Sequence, residues 1–164
     1  MSTHGYSLTS TWTGNQGTGT SGYRDYTRDV TLSAPGRPDI EASADVPFRG
    51  DPVKCNPELL LLAAASECHM LSYLHACVLR GVVVTSYVDE ASAEIEVVGN
   101  GGRFTGATLR PRIEVADEAM IGDAIAAHEE AHEWCFISNS LNFDVVIEPV
   151  VTAVASRSRT AKTD

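Results

Sequence analysis

Residues 56–80, NPELLLLAAASECHMLSYLHACVLR, constrain the fold more than any other segment. They read as one long helix. Asn56 suits the cap, Pro57 the first helical position, and Glu58 the positive end of the dipole, while Gly81 ends it. The first half is apolar almost all round. A helix without a polar face has to be covered on every side, either by a sheet of its own chain or by a partner chain. A chain of 164 residues has room for one such core, so a single domain over 1–154 is expected, with a small polar tail, 155–164, that frays.

The flanking segments read as strands. Residues 6–13, 23–32 and 39–44 are β-favouring islands separated by Gly, Ser and Pro turns. Residues 82–85 and 87–98 follow the helix, and Asn100-Gly101-Gly102 supplies a hairpin turn before a strand over 104–115. A second helix begins at Asp117 and runs through Glu133, with a break expected near 128–135, and residues 142–151 form a last strand. This order implies an α+β domain with a curved antiparallel sheet over one buried helix.

Charge excludes some partners. Lys and Arg total 12 against 22 Asp and Glu, a formal net charge of −10. Binding nucleic acid needs clustered cations to neutralise phosphates, so neither nucleic acid nor anionic lipid is an expected partner. The longest apolar run, residues 59–66, is too short to cross a bilayer, and the first residues resemble no signal peptide. A cytoplasmic setting is the expectation. There the four cysteines (Cys55, Cys68, Cys77 and Cys135) are buried, catalytic or metal-bound rather than a disulfide scaffold.

Three motifs carry possible chemistry. Residues 17–22 match G-x-G-x-x-G, but a strand-like segment follows where a dinucleotide site needs a helix, so a flexible loop is the better reading. His128-Glu129-Glu130-Ala131-His132 is a literal H-E-x-x-H on a helix. Its imidazoles share one face and could hold zinc with Glu129 as general base, provided Glu148 or Cys135 served as third ligand. The plain alternative is a polar face whose histidines are satisfied by neighbouring carboxylates. The third motif is the cysteine set. Cys77 lies nine residues after Cys68, about 13.5 Å along a helix, beyond the roughly 7 Å a disulfide allows. Cys55 is excluded too if the helix runs back to its cap, which leaves Cys135 as an intrachain partner if folding brings the two together. The plain alternative is that both are small buried hydrophobes.

These residues resemble the OsmC/Ohr family, the osmotically inducible protein C and organic hydroperoxide resistance proteins. The resemblance rests on Asn56-Pro57-Glu58-Leu59-Leu60, Ala64-Ala65-Ser66-Glu67-Cys68-His69-Met70, Tyr87, Asp89, Leu109-Arg110-Pro111-Arg112, and residues 131–140, AHEWCFISNS. Cys-His-Met on the helix favours the OsmC-like branch. The H-E-x-x-H match falls inside that last segment and is read as coincidental.

The resemblance implies curved sheets wrapped around the long helix, in an intertwined homodimer with its active sites at the subunit interface. It implies a cysteine-based peroxidase, preferring organic hydroperoxides over hydrogen peroxide and using no cofactor. Cys68 takes the peroxidatic role and Cys135 the resolving one, closing a Cys68–Cys135 disulfide that a thiol or lipoyl-type dithiol reduces. Arg28, with Arg24 as second choice, would activate the thiol, and Glu58 would hold the arginine. Glu58 precedes Cys68 by ten residues, about 15 Å along a helix. Two such helices packed antiparallel in a dimer would set Glu58 of one chain near Cys68 of the other. The rival readings are a non-catalytic OsmC-like stress protein that binds an apolar ligand, and the zinc hydrolase.

Overall fold

The computed structural model describes residues 2–155, so most of the expected tail lies outside the described residues. The chain divides into two compact units between Leu61 and Leu62. The first holds an antiparallel sheet in the order β1 (Thr9–Trp12), β2 (Val30–Ser33) and β3 (Ile40–Ala42). These strands are shorter than the sequence suggests. Residues 13–29 form a loop, in which Asn15 Oδ1 accepts the N–H groups of Gly17 and Gly19 at 2.9 and 3.0 Å. Both glycines have positive φ, and no helix follows them. The G-x-G-x-x-G match is therefore a loop, as the context required.

Helix α1 (Pro57–Leu79) begins and ends as its caps dictate. Asn56 Oδ1 accepts the Leu59 N–H at 2.8 Å. At the other end Gly81 adopts φ +71°, the Gly81 N–H reaches the Val78 carbonyl at 3.2 Å, and the Val82 N–H reaches the Cys77 carbonyl at 2.9 Å. That pair of bonds is a Schellman closure, which satisfies carbonyls the helix leaves open. Ala65, His69, Tyr73, Ala76 and Cys77 are the buried residues, a stripe at helical spacing. Leu59, Leu71, Val78 and Leu79 remain exposed. One copy of the chain thus covers one side of α1, not all of it. At 23 residues α1 is long and apolar enough to cross a membrane, a test that a buried core helix also passes.

The second unit contains two three-stranded sheets, β4 (Val84–Asp89), β7 (Pro111–Val115) and β9 (Val150–Ala153) in one, and β5 (Ser92–Val98), β6 (Gly101–Leu109) and β8 (Val145–Ile147) in the other. The architecture is α+β, but the sheets are mixed rather than antiparallel: β6 pairs β8 and β7 pairs β9 in parallel. Each long strand expected from the sequence is two strands in different sheets. The break over 104–115 falls at Arg110-Pro111, and that over 142–151 at Glu148-Pro149. Proline has no N–H for the ladder and sits at a strand's first residue or beyond its end, so it marks where the chain changes sheet. The two breaks are tied together, since the Glu148 N–H bonds the Leu109 carbonyl at 2.9 Å and Arg110 Nε pairs with Glu148 Oε2 at 3.1 Å. The hairpin turn falls at Gly99-Asn100, one position earlier than expected, with φ +62° at Gly99 and Val98 facing Gly101.

Helix α2 (Ile121–Trp134) follows a 3-10 turn over Glu118–Met120, where Asp117 Oδ1 accepts the Ala119 N–H at 2.9 Å. Three of its four alanines, Ala124, Ala127 and Ala131, are fully buried and form a core with Tyr73, Ala76 and Cys77 of α1 and with Ile113 and Val115 of β7. Small side chains on one face allow α2 to pack closely there. A second cluster gathers Ala107, Leu109 and Val145.

Candidate active site

Cys68 occupies the middle of α1, two positions from Ser66. Ser66 Oγ donates to Asp89 Oδ2 at 2.5 Å, and Asp89 Oδ1 accepts the Arg110 N–H at 2.7 Å. One carboxylate therefore anchors α1, half a turn before Cys68, to the end of β4 and the β6–β7 break. Sequence alone placed Asp89 in a motif but could not give it this partner, which lies 23 positions away.

Cys135 caps the C-terminus of α2. Its φ of −70° and ψ of 102° leave the helix, and its thiol is fully buried. The segment after it is held by its own hydrogen bonds. The Asn139 N–H reaches the Cys135 carbonyl at 3.0 Å, Asn139 Nδ2 reaches the Glu133 carbonyl at 2.8 Å, and Ser140 Oγ donates to the Phe136 carbonyl at 2.7 Å. The side chains of Asn139 and Ser140 thus fix the shape of this segment.

The fold places Cys135 beside Cys68, both as free thiols. Burial pushes the Cys68 thiol up, and the Cys135 thiol adds to that push, because charge on a buried sulfur is poorly solvated. The backbone N–H groups of Ile137 and Phe136 face the Cys68 sulfur and act in the opposite direction. On the other sulfur, Ser138 Oγ and the Ser138 N–H donate to Cys135 Sγ at 3.2 and 3.4 Å. Donors in residues 136–138 thus serve both sulfurs. The sequence placed these residues beside Cys135 but gave no sign that they act as donors. Phe136 itself is 82% exposed.

Next to Cys68, His69 turns into the interior, where its Nε2 lies 3.0 Å from His128 Nδ1 of α2. His69 is fully buried and His128 nearly so, and His128 also stacks on Tyr73 at 4.1 Å between ring centroids. Burial pushes both imidazoles down to about 4, so both are neutral at neutral pH. Their outer nitrogens, His69 Nδ1 and His128 Nε2, have no hydrogen-bond partner among the described residues. This pair accounts for the H-E-x-x-H motif. His128 is spent on His69 while His132 is exposed, and no three His, Cys, Asp or Glu side chains converge as a metal site among the described residues.

The remaining site residues lie in the first unit. Arg28 donates to the Tyr26 and Tyr23 carbonyls, both at 2.8 Å, with its guanidinium 4.2 and 4.4 Å from the centroids of those two rings. Arg24 is exposed. Glu58 sits in the first turn of α1, with Oε2 buried and without a hydrogen-bond partner among the described residues. Of the other cysteines, Cys77 is buried in the core against Tyr73, with its thiol pushed up by burial, and Cys55 is exposed before α1.

A mixed α+β fold that sets two free thiols against each other, one on a helix and one at a helix end, defines a dithiol protein. The family follows from comparison: a family model described as OsmC-like protein matches residues 50–150, and the chain belongs to that family. Among solved structures, an OsmC-like protein of unknown function from Vibrio cholerae is similar, with a TM-score of 0.79 at 29% identity over 90% of this chain and 100% of that one. Two others share the fold at lower identity. An organic hydroperoxide resistance protein from Elizabethkingia anophelis has a TM-score of 0.62 at 21% identity, covering 94% of this chain and 100% of that one. One named organic hydroperoxide resistance protein OsmC, from Legionella pneumophila, has a TM-score of 0.63 at 15% identity, covering 93% and 99%. No curated protein matches the chain.

Proposed function

We propose that the protein is a thiol-dependent peroxidase that reduces organic hydroperoxides, and hydrogen peroxide more weakly, through Cys68 and Cys135. The observation that carries this reading is the juxtaposition of the two free thiols, with the N–H groups of Phe136 and Ile137 facing the accessible one. Cys68 is half-buried and Cys135 fully buried, which fits Cys68 as the sulfur that meets a peroxide.

In this reading the Cys68 thiolate attacks a peroxide oxygen. The S–O bond forms as the O–O bond breaks, and the alkoxide takes up a proton to leave as alcohol. The Cys135 thiolate then attacks the Cys68 sulfenic acid, forming the S–S bond and releasing hydroxide, which leaves as water. A thiol or a lipoyl-type dithiol returns both sulfurs to the reduced state and is itself oxidised to a disulfide.

The upward push on Cys68 has to be overcome, and backbone dipoles alone make a modest correction. A guanidinium is the group suited to it, since it stabilises both the thiolate and the charge developing on the leaving oxygen. Arg28 takes this role by resemblance, with Arg24 as the alternative. Glu58, whose buried Oε2 lacks a partner among the described residues, is the carboxylate to hold that cation. The exposed apolar side of α1 supports a homodimer, in which a second copy covers Leu59, Val78 and Leu79.

The test is a thiol count after adding cumene hydroperoxide. Two thiols per chain should disappear rapidly, with or without a chelator, and Cys68→Ser should abolish the loss. Thiols that survive excess peroxide would overturn the reading and leave a non-catalytic member of the family.

A further inference from the structure

The donors on Cys68 and those on Cys135 come from different residues, and they have different consequences. The N–H groups of Phe136 and Ile137 face Cys68. Cys135 is fully buried, and its sulfur receives two donors from a single residue, Ser138 Oγ at 3.2 Å and Ser138 N–H at 3.4 Å. A buried thiol is a poor nucleophile because the thiolate loses its hydration. Two donors aimed at the sulfur replace part of that hydration and act most strongly on the charged form, since hydrogen bonds to ions are the stronger ones.

We propose that Ser138 is a catalytic residue of the resolving step, stabilising negative charge on the Cys135 sulfur both when it attacks the Cys68 sulfenic acid and when it leaves during reduction of the disulfide. This deepens the peroxidase reading and rests on it. In the forward step the Cys135 thiolate forms the S–S bond, the Cys68 S–O bond breaks, and hydroxide departs as water after gaining a proton. In the reverse direction an external thiolate attacks the disulfide. Cys68 is the more exposed sulfur, so the new mixed disulfide forms there and Cys135 leaves with the electron pair. A second thiolate of the reductant then displaces Cys68. Ser138 touches the sulfur that carries the charge in both steps.

The geometry is pre-set. Ser138 opens the 3-10 turn Ser138–Ser140, and the Leu141 N–H bonds the Ser138 carbonyl at 3.3 Å. Its backbone is therefore committed, and the hydroxyl does not have to be ordered when the reaction begins. From α1 the titratable group facing Cys135 is Cys68, whose conversion to a neutral sulfenic acid removes a competing charge.

The experiment compares wild type, Ser138→Ala and Ser138→Thr. Each is mixed with one equivalent of cumene hydroperoxide, and the decay of sulfenic acid into disulfide is followed by rapid quench from pH 5 to 9. The expected result is closure about tenfold slower at pH 7 in Ser138→Ala, with the rising limb of the profile moved up by about one pH unit. Ser138→Thr, which keeps the hydroxyl, should restore both. A merely structural role would lower the rate without moving the limb. Superimposable pH profiles for wild type and Ser138→Ala would overturn the proposal.

A second measurement does not depend on peroxide chemistry. In a Cys68→Ser background, thiolate absorbance at 240 nm is titrated with and without Ser138→Ala. An upward-moved Cys135 step supports the role of Ser138 on the sulfur, and an unmoved step overturns it. If wild type forms neither sulfenic acid nor disulfide, the peroxidase reading fails while this titration still decides what Ser138 does.

Discussion

Acid should destabilise the protein through the His69–His128 pair, and the size of the effect follows from the burial of its two imidazoles. Each has an ordinary value of 6.5 and is pushed down to about 4, with desolvation as the main cause. Among the groups facing His69, Asp89 draws it up slightly and His132 pushes it down. The folded chain therefore refuses protons that the unfolded chain accepts between pH 6.5 and 4. Stability from the neutral pair is complete above pH 6.5 and is lost as the pH falls towards 4. At pH 5 the unfolded imidazole is nearly saturated and the folded one nearly empty, a cost of about 2 kcal/mol for one histidine. Two independent histidines would give about 4 kcal/mol, and their shared hydrogen bond sets the total within that range. Carboxylates also titrate there, so the assay is a difference: urea unfolding at pH 7, 6 and 5 for wild type and for the double variant His69→Gln, His128→Asn. The amides place hydrogen-bonding nitrogens or oxygens where the ring nitrogens lay, but they do not titrate. Wild type should lose about 2–4 kcal/mol more than the variant between pH 7 and 5. Parallel losses would refute the reasoning, because they would mean that the imidazoles keep ordinary values in the folded state.

Three further outcomes follow. Asn56→Ala removes the side chain that accepts the Leu59 N–H and should cost about 1 kcal/mol in urea unfolding. Leu109→Ala, at a fully buried strand position, should cost about 2–5 kcal/mol by the same assay, with the lower end indicating that the surrounding cluster collapses into the space. Cys55→Ser and Cys77→Ser should both leave peroxide turnover unchanged. Cys55→Ser should be silent in unfolding, whereas Cys77→Ser buries a hydroxyl beside Tyr73 and should cost about 1–3 kcal/mol.

The helices were legible in the sequence because their signals are local. Asn56, Pro57 and Gly81 bracket α1, and each acts within a turn or two of itself. The strands were less legible. An apolar or alternating run looks the same whether it stays in one sheet or crosses to another, so 104–115 and 142–151 read as single strands. The missed signal was proline at 111 and 149, weighed as neither a strand start nor a strand end. Parallel pairing was invisible for a different reason, because β6–β8 and β7–β9 join residues tens of positions apart. The candidate site divides in the same way. Residue types and spacing pointed to Cys68 and Cys135, while the groups that act on them became visible only after folding. Ser138 is three residues from Cys135, yet nothing in Cys-Phe-Ile-Ser says that its hydroxyl turns back to the sulfur.

Helix α1 links fold to function through what it leaves uncovered. Its sequence has no polar face in the first half, and that requires cover on every side. One chain supplies cover along the stripe Ala65, His69, Tyr73, Ala76 and Cys77. Leu59, Leu71, Val78 and Leu79 stay exposed on the same helix, as does Phe136 beside Cys135. An apolar surface of this kind calls for a partner or a ligand. The proposed second copy supplies the first and a hydroperoxide with an apolar tail the second, and the two requirements differ in position. Leu59, Val78 and Leu79 lie near the ends of α1, where an antiparallel helix would run. Leu71 is one turn from Cys68, and Phe136 directly follows Cys135. Polar substitution at Val78 should therefore weaken association, while polar substitution at Phe136 should raise the KM for cumene hydroperoxide relative to hydrogen peroxide. If both substitutions altered only the oligomeric state, the apolar surface beside the thiols would belong to the interface alone.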